Sequence, residues 1–397
     1  MGRLARRSIL VAAAGLLTAA CAATTTGRFP ALNQPVTPQA PSQAITGDVL
    51  GNGSVRVALL IPKSATGNTG AIATALRNSA QLAIGDFPGA SLQIMVKDTA
   101  GTAAGAQAAA QEAISQGAEL ILGPLISSSV SAAAPIARGA NVPMIAFSTD
   151  ANVAGPGVYL LSFLPRNDIR RIVAYAANQG RRSFGALLPQ GGYGTVAEAA
   201  IRAAVPANGG TLIAAETYPL DRVQLVPPAE TVARQVASQG DAIIMPDGSA
   251  ALAVIGPILQ SSGVRAPAKM LLGSGQWDGA TAKNNPALVG GLYPAPNPGG
   301  WNSYRARYSA QFGATPPRIA TLAYDAVSLS AALARGPAGR RFSNGVLTNP
   351  SGFSGIDGIF RFNRDGTNER GLAILEITGG GATRVVEPAP GRFGAGS

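Results

Sequence analysis

From residue 55 onward, short apolar runs alternate with amphipathic, Ala-rich stretches in a regular beat. Val55–Ile61 (VRVALLI) and residues 92–96 (LQIMV), 119–122 (ELIL) and 142–147 (VPMIAF) read as buried strands bounded by Gly, Pro or Asp. Helix-patterned stretches at residues 72–84, 103–115 and 128–137 lie between them, and this order predicts a parallel sheet with right-handed crossovers. The rhythm then repeats. Residues 184–189 (FGALLP), 211–218 (TLIAAETY), 241–245 (DAIIM) and 269–273 (KMLLG) read as strands, with helical stretches near residues 196–205, 229–238 and 250–261. A Pro-bearing segment at residues 159–165 separates the two sets, which predicts two open, Rossmann-like α/β lobes with parallel central sheets rather than one barrel. Residues 304–312 and 319–335 read as helices and residues 358–363 and 372–377 as closing strands, too little for a third core. They are expected to return to both lobes through multiple crossings. One lobe then comprises residues 55–162 with about 279–335, the other 163–278 with about 336–385, and residues 386–397 form a tail.

The first residues follow another pattern. Arg3, Arg6 and Arg7 precede an apolar run at residues 9–17, and small residues lead to Cys21, the layout of a secretory signal at residues 1–20. The run is too short to span a bilayer. Cys21 is the single cysteine of the chain, so it has no disulfide partner here, and it directly follows Ala19 and Ala20. The segment LLTAAC resembles the bacterial lipobox, with Thr18 where that motif usually has Leu. The resemblance implies lipidation of Cys21 and a lipid anchor in the cell-envelope membrane; a cleaved signal with an incidental cysteine is the plainer alternative. Residues 21–54, rich in Thr, Pro, Gln, Ala and Gly without apolar periodicity, are expected to form a flexible tether, with the fold starting near Val55.

Composition narrows the function. A chain of 397 residues has enough apolar sequence for two domains of ordinary size. Its formal charge is +11, and removal of residues 1–20 leaves 28 basic against 20 acidic residues, or +8. The basic residues are mostly scattered arginines without a stripe of interleaved aromatics, so no nucleic-acid partner is expected, and attraction to an anionic envelope surface fits better. The absence of histidine excludes Ser-His and Cys-His mechanisms and histidine-ligated metals. None of the four lysines follows a serine by three residues, no phosphate loop ends in Gly-Lys-Ser/Thr, and no spacing singles out a carboxylate pair. A non-enzymatic protein without cofactor or metal is expected.

Open parallel sheets bind ligands beyond the carboxyl ends of their strands, where loops lead into helix N-termini. Ser127, Ser128 and Ser129 follow the third strand and offer hydroxyls at such a terminus, either as a plain helix cap or as contacts to an anionic ligand. Ser148 and Thr149 end the fourth strand and read as donors or as a turn. In the second set Tyr193 stands in a GGYG loop, Asp247 follows DAIIM, and Gln276, Trp277 and Asp278 follow KMLLG. Trp277 either packs on a ligand or fills the surface between lobes.

Five segments in order carry a resemblance: VRVALLIPKSATGNTG, AELILGPLISSSVSAAAPIA, VPMIAFSTD, LLPQGGYGTVAEAA and IATLAYDAVSLSAAL. Over residues 55 to about 377 the chain resembles the type I periplasmic solute-binding proteins of the leucine/isoleucine/valine-binding kind. The resemblance implies two lobes joined by hinge crossings that close on a small, amino-acid-like ligand, which an ABC transporter permease then receives at the periplasmic face. It also implies a cleft tyrosine at Tyr193 and an acid after the last strand for the ligand's ammonium. Here SGQWDG puts Gly275 or Gln276 at that place, and Asp278 or Asp247 stands as the substitute. The chain also resembles the binding-protein-like domain of penicillin-binding protein activators through GAELILGPLISSSV and its lipoprotein-like start. That likeness implies a peptidoglycan synthase as partner and a degenerate or sensory cleft.

Overall fold

The computed structural model describes residues 43–394; the expected signal, Cys21 and the greater part of the expected tether lie outside them. The first sheet holds β1 Asp48–Leu50, β2 Val55–Ile61, β3 Leu92–Asp98, β4 Leu120–Leu122, β5 Met144–Ala146 and β6 Val158–Leu160, in the order β1-β3-β2-β4-β5-β6. Strands β2 to β6 are parallel, and β1 is an antiparallel edge. Helices α1 Gly67–Asp86, α2 Ala103–Ser115 and α3 Ser127–Gly139 connect them.

The chain then crosses to a second body through α4 Pro165–Asn178, β7 Ser183–Pro189, α5 Gly192–Ala207, β8 Thr211–Tyr218, α6 Val226–Gln239, β9 Ala242–Met245, α7 Leu252–Ser261, β10 Met270–Gly273, α8 Ala280–Lys283 and β11 Leu292–Ala295. It returns through α9 Pro298–Phe312, α10 Thr321–Leu333, α11 Asn344–Leu347 and a small antiparallel sheet of β12 Phe353–Gly355, β13 Gly358–Phe362 and β14 Asn368–Arg370. Strands β15 Ala373–Gly379 and β16 Ala382–Glu387 finish the second sheet, whose order is β16-β15-β11-β10-β9-β7-β8. Its strands β7 to β11 are parallel, and β15 and β16 are antiparallel additions at one edge.

The apolar runs form central strands because both faces of each sheet are covered. In β2 the alternation is complete: Val57, Leu59 and Ile61 enter one apolar cluster, while Ala58 and Leu60 enter the cluster on the opposite face. In β9 Ile243 and Met245 point to one side and Ala242 and Ile244 to the other. Helix α2 buries Ala106, Ala109, Ala110 and Ala113, one face of a 3.6-residue repeat, and methyl side chains let it lie close to the sheet. None of the four clusters mixes the two sheets, and the division falls between Leu164 and Ile169.

Three details differ from the expected organisation. The ordered chain begins before Val55, because β1 pairs with β3 and Asp48 is held by Arg77 at 2.8 Å and Lys63 at 3.2 Å, a polar edge without apolar periodicity. Leu292–Ala295, within the stretch expected in the first lobe, pairs between β10 and β15; four residues that include Pro294 give little strand signal. Conversely, β13 lies in the stretch expected in the second lobe, yet Phe360 and Phe362 join the first lobe's core, with the Phe362 ring 5.3 Å from that of Tyr159.

The chain therefore passes between the bodies at residues 161–164, 296–297 and 371–372. The first and third passages are bonded together. Asn368 donates to the Ser162 carbonyl at 2.8 Å, Asn167 donates to the Asn368 carbonyl at 3.0 Å, and Arg171 donates to the Leu372 carbonyl at 2.8 Å.

Candidate functional site

The carboxyl ends of the second sheet's parallel strands bring together the loops that open α5 and follow β9 and β10. Gly194 lets α5 start close against β7, since a Cβ there would lie 1.8 Å from the Pro189 carbonyl oxygen. This places the Tyr193 hydroxyl 2.8 Å from Ser274 Oγ. Burial, followed by the nearby Asp168 charge, pushes the Tyr193 phenol well above its usual range. A cavity of about 350 Å³ opens here, lined by Phe163 and Pro165 at the first passage, Asp168 of α4, Tyr193, the 275–279 loop, Pro296 at the second passage, and Arg318.

Asp168 was not anticipated. It sits in the first turn of α4, where an acid also suits the helix dipole, and its Oδ2 accepts the Gly275 N–H at 2.9 Å. Desolvation pushes its carboxyl up to about 7, against the opposing pull of the Gly275 N–H and the Arg370 charge. Arg370 is itself buried. Its Nε donates to the Ser162 carbonyl at 3.1 Å, its guanidinium lies 4.5 Å from the Phe163 ring centroid, and its two terminal nitrogens have no hydrogen-bond partner among the described residues. Beyond it, Asp357 accepts from Thr321 at 2.5 Å and pairs with Arg318 at 2.7 Å. Burial and the Asp357 charge push the Asp325 carboxyl upward.

The expected site residues divide. Tyr193, Gln276 and Asp278 line the cavity. Asp278 is already engaged by Lys283 at 3.3 Å, by the Tyr293 hydroxyl at 3.2 Å and, more distantly, by Arg318 at 3.9 Å. Asp247 is turned inward, where it accepts from the Tyr218 hydroxyl at 2.5 Å and from Ser249 N and Oγ at 2.8 and 2.7 Å. Trp277 is fully buried in the second lobe's core. A Cβ on Gly273 would lie 2.1 Å from its indole, so the glycine makes room for the ring beneath the loop.

In the first lobe, Ile126 occupies the α3 cap position and no side chain caps the helix, so Ser127, Ser128 and Ser129 lie in the first turn. Ser128 is exposed and Ser129 Oγ donates to the Thr102 carbonyl at 3.3 Å. Ser148 accepts the Asp150 N–H at 3.1 Å, the turn geometry. Thr149 lines a separate apolar groove of about 470 Å³ against α4 and α5. Among the described residues, no group of three His, Cys, Asp or Glu side chains is placed to hold a metal.

Residues 54–382 match a family model described as periplasmic binding protein. Among curated proteins none matches. Solved structures are similar over most of both chains. A protein from Rhodospirillum rubrum, assigned as a branched-chain amino acid ABC transporter, is 20% identical, with 84% of this chain and 99% of that one covered and a TM-score of 0.71. An ABC transporter substrate-binding protein from Desulfitobacterium hafniense, in complex with Leu, is 18% identical, with 84% and 99% covered and a TM-score of 0.60. An ABC transporter solute-binding protein from Rhodopseudomonas palustris BisB5, in complex with 3,4-dihydroxybenzoic acid, is 20% identical, with 86% and 97% covered and a TM-score of 0.59. At these identities the likeness extends to the fold.

Proposed function

Because the chain belongs to the periplasmic binding protein family, we propose that it holds a small, amino-acid-like ligand between its two lobes in the periplasm and passes it to an ABC transporter permease. The observation that supports this reading is the cavity of about 350 Å³ where the second sheet's strand ends meet the passages between lobes. Ligand that bridges both lobes would shift an open population toward a closed one, with motion taken up at the three passages. Lipidation of Cys21 would keep the protein beside its membrane partner. The similar structures with leucine and with dihydroxybenzoate leave two ligand chemistries in view, one with an ammonium and one without. The activator reading, with a peptidoglycan synthase as partner, calls for a degenerate cleft; a buried carboxyl that faces a cavity supports ligand capture instead.

The test is thermal unfolding of the mature protein with the twenty amino acids, benzoate and peptidoglycan fragments. At least one should raise the melting temperature progressively with concentration. If none does, while affinity capture recovers a peptidoglycan synthase, the transport reading is wrong. Mass spectrometry of the mature N-terminus should find acyl chains on Cys21; an unmodified thiol there removes the anchor.

A further inference from the structure

We infer that a second cavity, next to the one described above, is a site for a small oxyanion, a carboxylate or a phosphate, held between Lys283 of the second lobe and Arg305 of the first. This cavity measures about 380 Å³ and lies at the second passage, and it shares Asp278, Pro296 and Arg318 with its neighbour. Asp278 and Arg318, one from each lobe and 3.9 Å apart, thus form a wall between the two. Lys283 and Arg305 line only the second cavity.

The charge of the lining selects an anion. Pro298, Trp301, Asn302 and Arg305 recur at helical spacing, so the start of α9 turns one face toward the cavity. No acid stands in the first turn of α9, and the positive end of its dipole adds to the side-chain charge. Three cations, Lys283, Arg305 and Arg318, meet a single lining acid, Asp278, which Lys283 engages at 3.3 Å and the Tyr293 hydroxyl at 3.2 Å. Arg318 is matched by Asp357, at 2.7 Å. Arg305 is left over: it is exposed, and its guanidinium has no ion pair or hydrogen bond among the described residues. The other two cations are already held. The Arg318 guanidinium lies 4.8 Å from the Trp301 ring centroid and is bonded to Asp357, so it loses little further freedom when an anion arrives. The Lys283 and Arg318 side chains are only 25% and 26% exposed, which makes a charge-assisted hydrogen bond to an oxyanion stronger than it is in open water. An anion between Lys283 and Arg305 would also bridge the two lobes across the second passage.

The experiment is calorimetric titration of the mature protein, at pH 8 and fixed ionic strength, with inorganic phosphate and separately with succinate. At least one should bind saturably, and Arg305→Ala and Lys283→Gln should each weaken it about 10-fold. Arg305→Glu should abolish binding. Since the Arg305 guanidinium bonds to no described residue, Arg305→Ala breaks no bond of the fold, and an unchanged urea transition checks this. Arg335→Ala removes an exposed arginine outside both cavities and should alter the affinity less than about 2-fold. Phosphate binding without succinate assigns the site to phosphoryl groups, and the converse assigns it to carboxylates. The inference is overturned if neither probe binds up to about 20 mM, if Arg305→Ala or Lys283→Gln leaves the affinity unchanged, or if Arg335→Ala lowers it as much as Arg305→Ala. Because Lys283 and Arg305 do not line the first cavity, these outcomes are separate from whether an amino-acid-like ligand binds there.

Discussion

The two lobes present differently finished rims to the gap between them. On the first, hydroxyls bond to backbone: Ser129 donates to the Thr102 carbonyl, Ser148 accepts the Asp150 N–H, and Ser128 and Thr149 are exposed. On the second, side chains bond to one another, Tyr193 to Ser274 and Tyr218 to Asp247, and Asp168 accepts from the backbone of Gly275. A solvated hydroxyl rim costs little and adapts to many anions. A rim with a desolvated carboxyl is costly when empty and discriminates when filled.

The largest expected effect tests whether that second rim is held from beneath. Trp277→Ala, which empties the core under the 275–279 loop, should lower stability by about 3–5 kcal/mol in urea unfolding. A loss below about 1 kcal/mol would mean the loop does not depend on the indole.

Next comes the burial of charge itself. With its carboxyl raised from 3.8 to about 7, folded Asp168 keeps a proton that the unfolded chain releases, so its contribution to stability is complete below about pH 4 and lost as pH rises to about 7. The difference between Asp168→Asn and wild type should therefore move in the variant's favour by about 2–4 kcal/mol from pH 4 to pH 8. Parallel stability curves across that range would show that the carboxyl is not desolvated.

The smallest effects lie on the first rim. Ser129→Ala should cost about 1 kcal/mol through its hydrogen bond, while exposed Ser128→Ala should stay within about 0.5 kcal/mol. A larger cost at Ser128 than at Ser129 would erase the contrast between a solvated and a built rim.

Much of this architecture is legible along the chain. The continuous run Val55–Ile61 and the Ala face of α2 announce a strand covered on both sides and a closely packed crossover helix, because residue periodicity and size are local properties. Placing candidate residues after strands also reached Tyr193, Gln276 and Asp278, since strand ends converge in any parallel sheet. The same rule could not tell that Trp277 faces inward or that Asp247 is spent on Tyr218 and Ser249. Which way a loop side chain turns depends on what space its neighbours leave.

The alternation of apolar runs with Ala-rich stretches, the division into two α/β bodies and the absence of histidine are thus legible in the sequence alone. Only the tertiary structure brought Asp168 to Gly275, 107 residues away, and left Arg370 buried beside it. Local pattern determines which face of an element is apolar, whereas a binding site is made by elements whose meeting depends on how separate bodies pack, and no spacing along the chain encodes that distance.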